Sequence, residues 1–290
     1  MYTLFTDTDT DVTPEVAKKY GYHLISMPYI VNGEEIFPYE SFETFDYHKF
    51  YDMLRSGVLP STSGISPQKY IDYFEPEFKK GNDILYVHFS AAMSSTFESM
   101  RLALEDLKER YPDRTVHTID TKGITLGSYN ICLEIGDMYL EGKSIEEIKA
   151  WAEKEVDKFA IYFYADDLKF FAKSGRVSGL AAFFGGMIGI KPLMYMNSEG
   201  KMLAFSKARG RKNALNALAD IVMELKEDDV LEHRIIISHT DCQHLADLMA
   251  SILHERLGND FEIEYQIVNP TAGSHCGPDA LGVSFHAKHR

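Results

Sequence analysis

Cysteine is scarce: Cys132, Cys242 and Cys276 are three in 290 residues. They are odd in number and unclustered, which excludes a disulfide framework or a zinc ribbon and fits a reducing cytoplasm. Positive charge is also thin, with 30 Lys and Arg against 44 Asp and Glu and a formal net charge of −14. Without a Lys/Arg block, most of the surface repels a phosphate backbone, and nucleic acid is not expected as a partner. Long apolar runs are missing too. The longest, Leu180 to Ile190, falls short of the roughly 18 residues a membrane span needs. The opening MYTLFTDTDTD lacks the basic and apolar regions of a signal peptide, so a soluble cytoplasmic protein is expected. GxGxxG does not occur. GDMYLEGKS, Gly136 to Ser144, resembles a phosphate loop, but five residues separate its glycines and no strand precedes it. With no Walker loop, no kinase-type glycine-rich loop and no Mg²⁺ carboxylate pair, no cofactor is expected and the chain has no means of phosphorylating anything from ATP by itself.

What is present is organised around Asp83 to Ser99, DILYVHFSAAMSSTFES. An apolar strand enters a hydroxyl-packed turn and then a helix, whose first N–H groups point beyond the strand's carboxyl end and favour an anion. One Ser or Thr suffices as N-cap, so Ser90, Ser94, Ser95 and Thr96 leave hydroxyls free to bind something. Pro60 to Gly64, PSTSG, is a second such turn, and Ser66-Pro67 reads as N-cap and first helical residue. Strands alternate with helices through Leu140, which implies parallel βαβ units with their ligand-binding loops gathered at one sheet edge. At 290 residues, two domains are expected, 1–157 and 158–290.

Several segments invite sharper readings. The alternating Asp7, Asp9 and Asp11 suggest calcium, but Val12 and Lys18 stand where that loop needs Gly and Glu, so a capping turn at a strand end is expected. His239, Cys242 and His244 lack a partner pair for a metal. Arg176 follows Gly175 directly and is either a surface charge or an anion clamp. Leu180 to Ile190, LAAFFGGMIGI, is apolar on every side and rich in glycine. It is either core or the pliable wall of an apolar cavity, with Phe183, Phe184, Gly186, Met187 and Ile188 as acyl-chain-lining candidates. GSHCGPDALG, Gly273 to Gly282, reads as a glycine-punctuated loop presenting His275.

Thr62-Ser63 ahead of Ser66-Pro67, SAAMSSTF, KSGRVS at Lys173 to Ser178, IKPLM at Ile190 to Met194, and GSHCGPDALG follow one another in the order and at the separations of the DegV family, which the chain resembles over essentially its whole length. The resemblance implies a fatty-acid-binding subunit of the bacterial fatty acid kinase system, a partner in phospholipid synthesis rather than an enzyme. It also implies an α/β fold of two domains: an N-terminal Rossmann-like parallel sheet with helices on both faces, and a C-terminal two-layer α/β domain with a mixed or antiparallel sheet closing over the acyl chain. Carried over residue by residue, Thr62 and Ser94 bind the carboxylate of a long-chain fatty acid with the Ser95 amide assisting, and Arg176 and His275 lie at the head-group rim. The partner is then a separate ATP-dependent fatty acid kinase, with room for transient contact at a membrane surface. The sequence departs from the family pattern at Ser95, where glycine is usual, and at Thr8, Ala91, Ala92 and Ser174. The rival reading is a serine esterase or acyl-transfer enzyme using Ser94 and His275, although no G-x-S-x-G elbow surrounds any serine.

Overall fold

The computed structural model describes residues 2–178 and 189–290. The first half of the chain runs β1 (Tyr2–Asp7), α1 (Pro14–Tyr20), β2 (Tyr22–Ile25), β3 (Tyr29–Val31), β4 (Glu34–Ile36), α2 (Tyr47–Arg55), β5 (Ser61–Thr62), α3 (Pro67–Lys79), β6 (Asp83–His88), α4 (Thr96–Arg110), β7 (Val116–Asp120), α5 (Leu126–Leu140) and α6 (Ile145–Glu155). The second half runs β8 (Phe159–Tyr164), α7 (Leu168–Ser174), β9 (Val177–Ser178), β10 (Ile190–Met196), β11 (Met202–Arg209), α8 (Arg211–Leu225), β12 (Ile235–His239), α9 (Gln243–Leu257), β13 (Ile263–Ile267), α10 (Pro270–Cys276) and β14 (Leu281–His286). The acyl-lining candidates Phe183, Phe184, Gly186, Met187 and Ile188 lie outside the described residues.

Helix starts follow capping chemistry written in the sequence. Thr13, Ser66 and Asn269 each precede a proline and accept a backbone N–H from Val16, Lys69 and Ala272. Proline at the first helical position surrenders only an N–H that has no partner there anyway. Ser144 and Glu147 close a reciprocal capping box at α6, so the phosphate-loop look-alike is a helix end and a helix start.

Three sheets result. β2-β1-β6-β7 is all parallel, β13-β12-β14-β8-β10-β11-β9 is mixed, and β4-β3-β5 is a small antiparallel sheet. The parallel sheet carries α3 and α4 on one face, around Tyr70, Phe74 and Ala103, and α1 and α5 on the other. Helices α8 and α9 cover the outer face of the mixed sheet. Its inner face packs on α5, in one core that joins Leu85 and Val87 of the parallel sheet, Ile131 and Ile135 of α5, and Ile161 and Ile236 of the mixed sheet. A helix between two sheets must be apolar nearly all round, which LGSYNICLEIGDMYL is. Two glycines set its depth: a Cβ at Gly127 would overlap Ile161, and one at Gly136 would meet the Tyr20 ring at 2.6 Å.

The loop expected over Gly273 to Gly282 is corrected. Its first part is helix α10, begun by the Asn269-Pro270 cap, and its last residues open strand β14. Gly273 does not break α10; it makes room for Tyr51 of α2, whose hydroxyl would sit 2.6 Å from a Cβ. Helix α10 thereby docks against β3, β5, α2 and α7, far back in the sequence.

Candidate functional site

The two hydroxyl turns meet because Gly64 lets them. A Cβ there would lie 3.1 Å from Cα and Cβ of Thr96, and Ile65 N donates to Thr96 Oγ1 at 3.2 Å. Thr62 is held from the other side by antiparallel pairing with Tyr29. Lys173 Nζ, at the end of α7, donates to the carbonyls of Leu59 and Pro60 and ties that helix to the same turn. Gly175 then ends α7 in the left-handed conformation at φ 65°, and Arg176 leaves the turn exposed, with Nη1 donating to the Ser174 carbonyl at 2.6 Å.

Not every hydroxyl of the central turn is free. Ser90 Oγ donates to the Gly200 carbonyl at 2.8 Å, fastening the turn to the β10–β11 hairpin. Thr96 Oγ1 is occupied by Ile65 N and the Tyr70 hydroxyl. A short 3-10 turn, Ala91–Met93, separates strand from helix, and Ser94 Oγ accepts from Thr96 N at 3.2 Å. Ser94 and the exposed Ser95 are therefore the two that remain at the cavity.

That cavity, of about 250 Å³, lies between the carboxyl edge of the parallel sheet and the inner face of the mixed sheet. Thr62, Ser94, Ser95, Arg176 and His275 all line it. The rest of the wall combines the apolar Phe89, Met93, Ile161, Phe163, Phe171 and Met202 with the polar Asp9, Thr125, Ser238, Thr240 and Thr271. His275, carried by α10, shares a hydrogen bond with Thr62: Nε2 lies 2.9 Å from Oγ1. Burial, then the charges of Arg176 and Lys173, push the imidazole down to about 4, so it is neutral near pH 7. A neutral ring with the hydrogen on Nε2 donates to Thr62 and leaves the threonine hydroxyl pointing its own hydrogen elsewhere. Cys276 is no nucleophile: burial first, then Asp11 and Asp9, push its thiol up to about 12.

The sequence reading missed the burial of Asp7, Asp9 and Asp11. They form the expected capping turn, with Asp9 N donating to Asp7 Oδ1 at 3.0 Å, but all three are buried, the turn packing on α5. Asp7 Oδ2 accepts from the Tyr86 hydroxyl and Phe89 N, and Asp11 Oδ1 accepts from the backbone and side-chain amides of Asn269. Burial outweighs these bonds and raises both carboxyls to about 7. The only signal in the sequence was a run of short polar residues with no Lys or Arg beside it, too dense in carboxylates for one cap.

The chain as a whole is similar to known proteins. A family model described as an uncharacterised protein of the DegV family matches residues 1–288. A DegV domain-containing protein of Clostridium perfringens is 33% identical over 285 residues, covering 98% of this chain and 97% of that one. Among solved structures, a fatty acid binding DegV family protein from Streptococcus agalactiae superposes with a TM-score of 0.85 at 25% identity, over 100% of this chain and 99% of the other. A stearic-acid-binding protein from Eubacterium ventriosum superposes with a TM-score of 0.87 at 19% identity, over 99% of both chains.

Proposed function

The chain belongs to the DegV family, and from that premise we propose that it holds one long-chain fatty acid in this cavity and presents the carboxylate to a separate ATP-dependent fatty acid kinase, which makes the acyl phosphate. The observation that carries the reading is the convergence of Thr62, Ser94, Ser95, Arg176 and His275 on one cavity whose wall is also built from Phe89, Met93, Ile161, Phe163, Phe171 and Met202. Thr62 and Ser94 donate to the carboxylate, the Ser95 amide assists, and His275, in the tautomer with its hydrogen on Nε2, donates to Thr62 Oγ1 across 2.9 Å and leaves that hydroxyl's hydrogen for the ligand. Charge-assisted bonds of this kind are worth about 1.5 to 3 kcal/mol each, while each buried methylene of the tail adds about 0.8 kcal/mol. The tail supplies affinity and the head-group donors supply choice.

Residues 1–157 provide the head-group turns and 158–290 close over the chain, with α10 reaching back to complete the site. Exposed Arg176 stays at the rim, where a cation stabilises the added charge of an acyl phosphate and a partner can reach the head group. The role is that of a carrier in cytoplasmic phospholipid synthesis. No helix among the described residues is long and apolar enough to cross a membrane, and any membrane contact would be at a surface. The esterase alternative is disfavoured because His275 engages Thr62 and the charges bearing on it are both cationic, whereas a catalytic base needs an acidic orienter.

The test is twofold. An organic extract of purified protein, read by mass spectrometry, is expected to contain fatty acid. ATP-dependent acyl phosphate is expected only when a separate kinase is added, with Arg176→Ala losing more turnover than binding. Acyl phosphate made by this chain alone would refute the carrier reading, and equal loss of binding and turnover would move Arg176 to ligand binding.

A further inference from the structure

Two polar groups in the cavity have no counterpart in a plain fatty acid. Asp9 is 7% exposed, and its Oδ1 is buried without a hydrogen-bond partner among the described residues. Ser238, on β12, is 1% exposed, and its Oγ is likewise buried and unpartnered among the described residues. Both line the cavity, Asp9 from the turn after β1 and Ser238 from the inner face of the mixed sheet. Neighbouring polar groups on the same wall are satisfied internally: Thr240 Oγ1 accepts from Ala280 N at 2.7 Å, and Thr271 Oγ1 donates to the Met27 carbonyl at 2.7 Å. The two orphans are thus a local property of the wall and not a general polarity of it.

We propose that the cavity takes an acyl chain bearing a hydroxyl, a hydroxy fatty acid, with that hydroxyl paired to Asp9 and Ser238. This rests on the fatty-acid reading above and names the class of chain. A saturated tail laid against these groups would leave both desolvated and unpaired, and a site built to hydrogen-bond a ligand rejects the analogue lacking the group far more strongly than an apolar pocket rejects an extra one. Asp9 is also suited to a neutral partner. Burial, then the charges of Asp7 and Asp11, hold its carboxyl well above the usual carboxylate range. A protonated carboxyl both donates and accepts, as a hydroxyl does, and offers no charge to an ammonium.

The test is displacement of a fluorescent fatty acid from the full chain by stearic acid and by hydroxystearic acids carrying the hydroxyl in the first, middle or last third of the tail. The wild type is expected to prefer one hydroxy acid over stearic acid by about tenfold or more. Asp9→Val is expected to erase or reverse that preference, Asp9→Asn to keep most of it, and Ser238→Ala to reduce it, which reads the same contact from the other wall. Equal affinity for all the acids in the wild type, or a preference untouched by both Asp9→Val and Ser238→Ala, would overturn the assignment and leave these groups to water. Displacement by none of the acids would instead remove the fatty-acid reading itself.

Discussion

The two large sheets meet the cavity in different ways. The parallel sheet arrives end-on: Asp9 follows β1, Ser94 and Ser95 follow β6, and Thr125 follows β7. The mixed sheet arrives face-on, with Ile161 and Phe163 of β8, Met202 of β11 and Gly282 of β14. A strand end hands over backbone N–H groups and short hydroxyls, because the chain must turn there. A strand face hands over every second side chain, so Tyr162, between Ile161 and Phe163, joins the core on the far side. Apart from Ser238 of β12, polarity in the cavity therefore follows from strand orientation. On the function proposed above, a head group is read by ends and a tail by a face.

The strongest test of that division removes donors from the ends. Thr62→Ala with Ser94→Ala is expected to weaken fatty-acid binding by about 3 to 6 kcal/mol, two charge-assisted bonds, while the melting temperature stays close to wild type because neither side chain is core. Titration with stearic acid and a thermal melt check both halves. Retained affinity would place the carboxylate elsewhere. Thinning the face has the opposite profile. Phe163→Ala is expected to lose about 3 kcal/mol of stability, the low end for a buried phenylalanine because one side already faces the cavity. Carboxylate binding should survive, with the preferred tail shifting to a longer or bulkier one in a competition among chain lengths. If Phe163→Ala lost head-group binding as severely as the double variant, ends and face would not be separable.

The smallest effect is read by pH. Asp7 and Asp11, at the end of β1, have folded values of about 7 against about 4 when unfolded. A carboxyl with a raised folded pKa contributes stability that is present in acid and lost as pH rises through 7. Between roughly pH 8 and roughly pH 6 each is expected to add about 1.4 kcal/mol on acidification. His275 works in the other direction: its folded value of about 4 lies below the unfolded value of about 6.5, so its stability is lost as pH falls below 6.5. Denaturant melts of Asp7→Asn should show a flatter gain on acidification, and of His275→Gln a steeper one. Unchanged slopes in both would mean that these groups titrate alike folded and unfolded.

Much of the end-on sheet was legible in the sequence. Strand-turn-helix order, the Thr13-Pro14 and Ser66-Pro67 caps and the hydroxyl density at Ser94 are local signals, and local signals survive reading along the chain. What escaped depends on partners far away. Ser90 and Thr96 looked free because Gly200 and Ile65, which occupy them, are not their sequence neighbours. The Asp7 to Asp11 turn was read only as a capping turn, because the amides on Asp11 come from Asn269, 258 residues on. Helix α10 was hidden behind Gly273 and Gly277, although Asn269-Pro270 is as good a helix start as Ser66-Pro67. Gly273 is there for Tyr51, a packing reason that no window around it contains.

Helix α10 sets the order in which this protein can become competent. His275 and Thr62 are separated by 213 residues, and Asn269 and Asp11 by 258. Closing loops of that length is entropically late, and a chain emerging from the ribosome builds β1, β6 and their helices long before residue 275 exists. Until then the Asp7 to Asp11 turn is open to water and Thr62 lacks its imidazole. A nascent chain is thus blind to ligand while its apolar face is incomplete, and recognition switches on as the last helix seats.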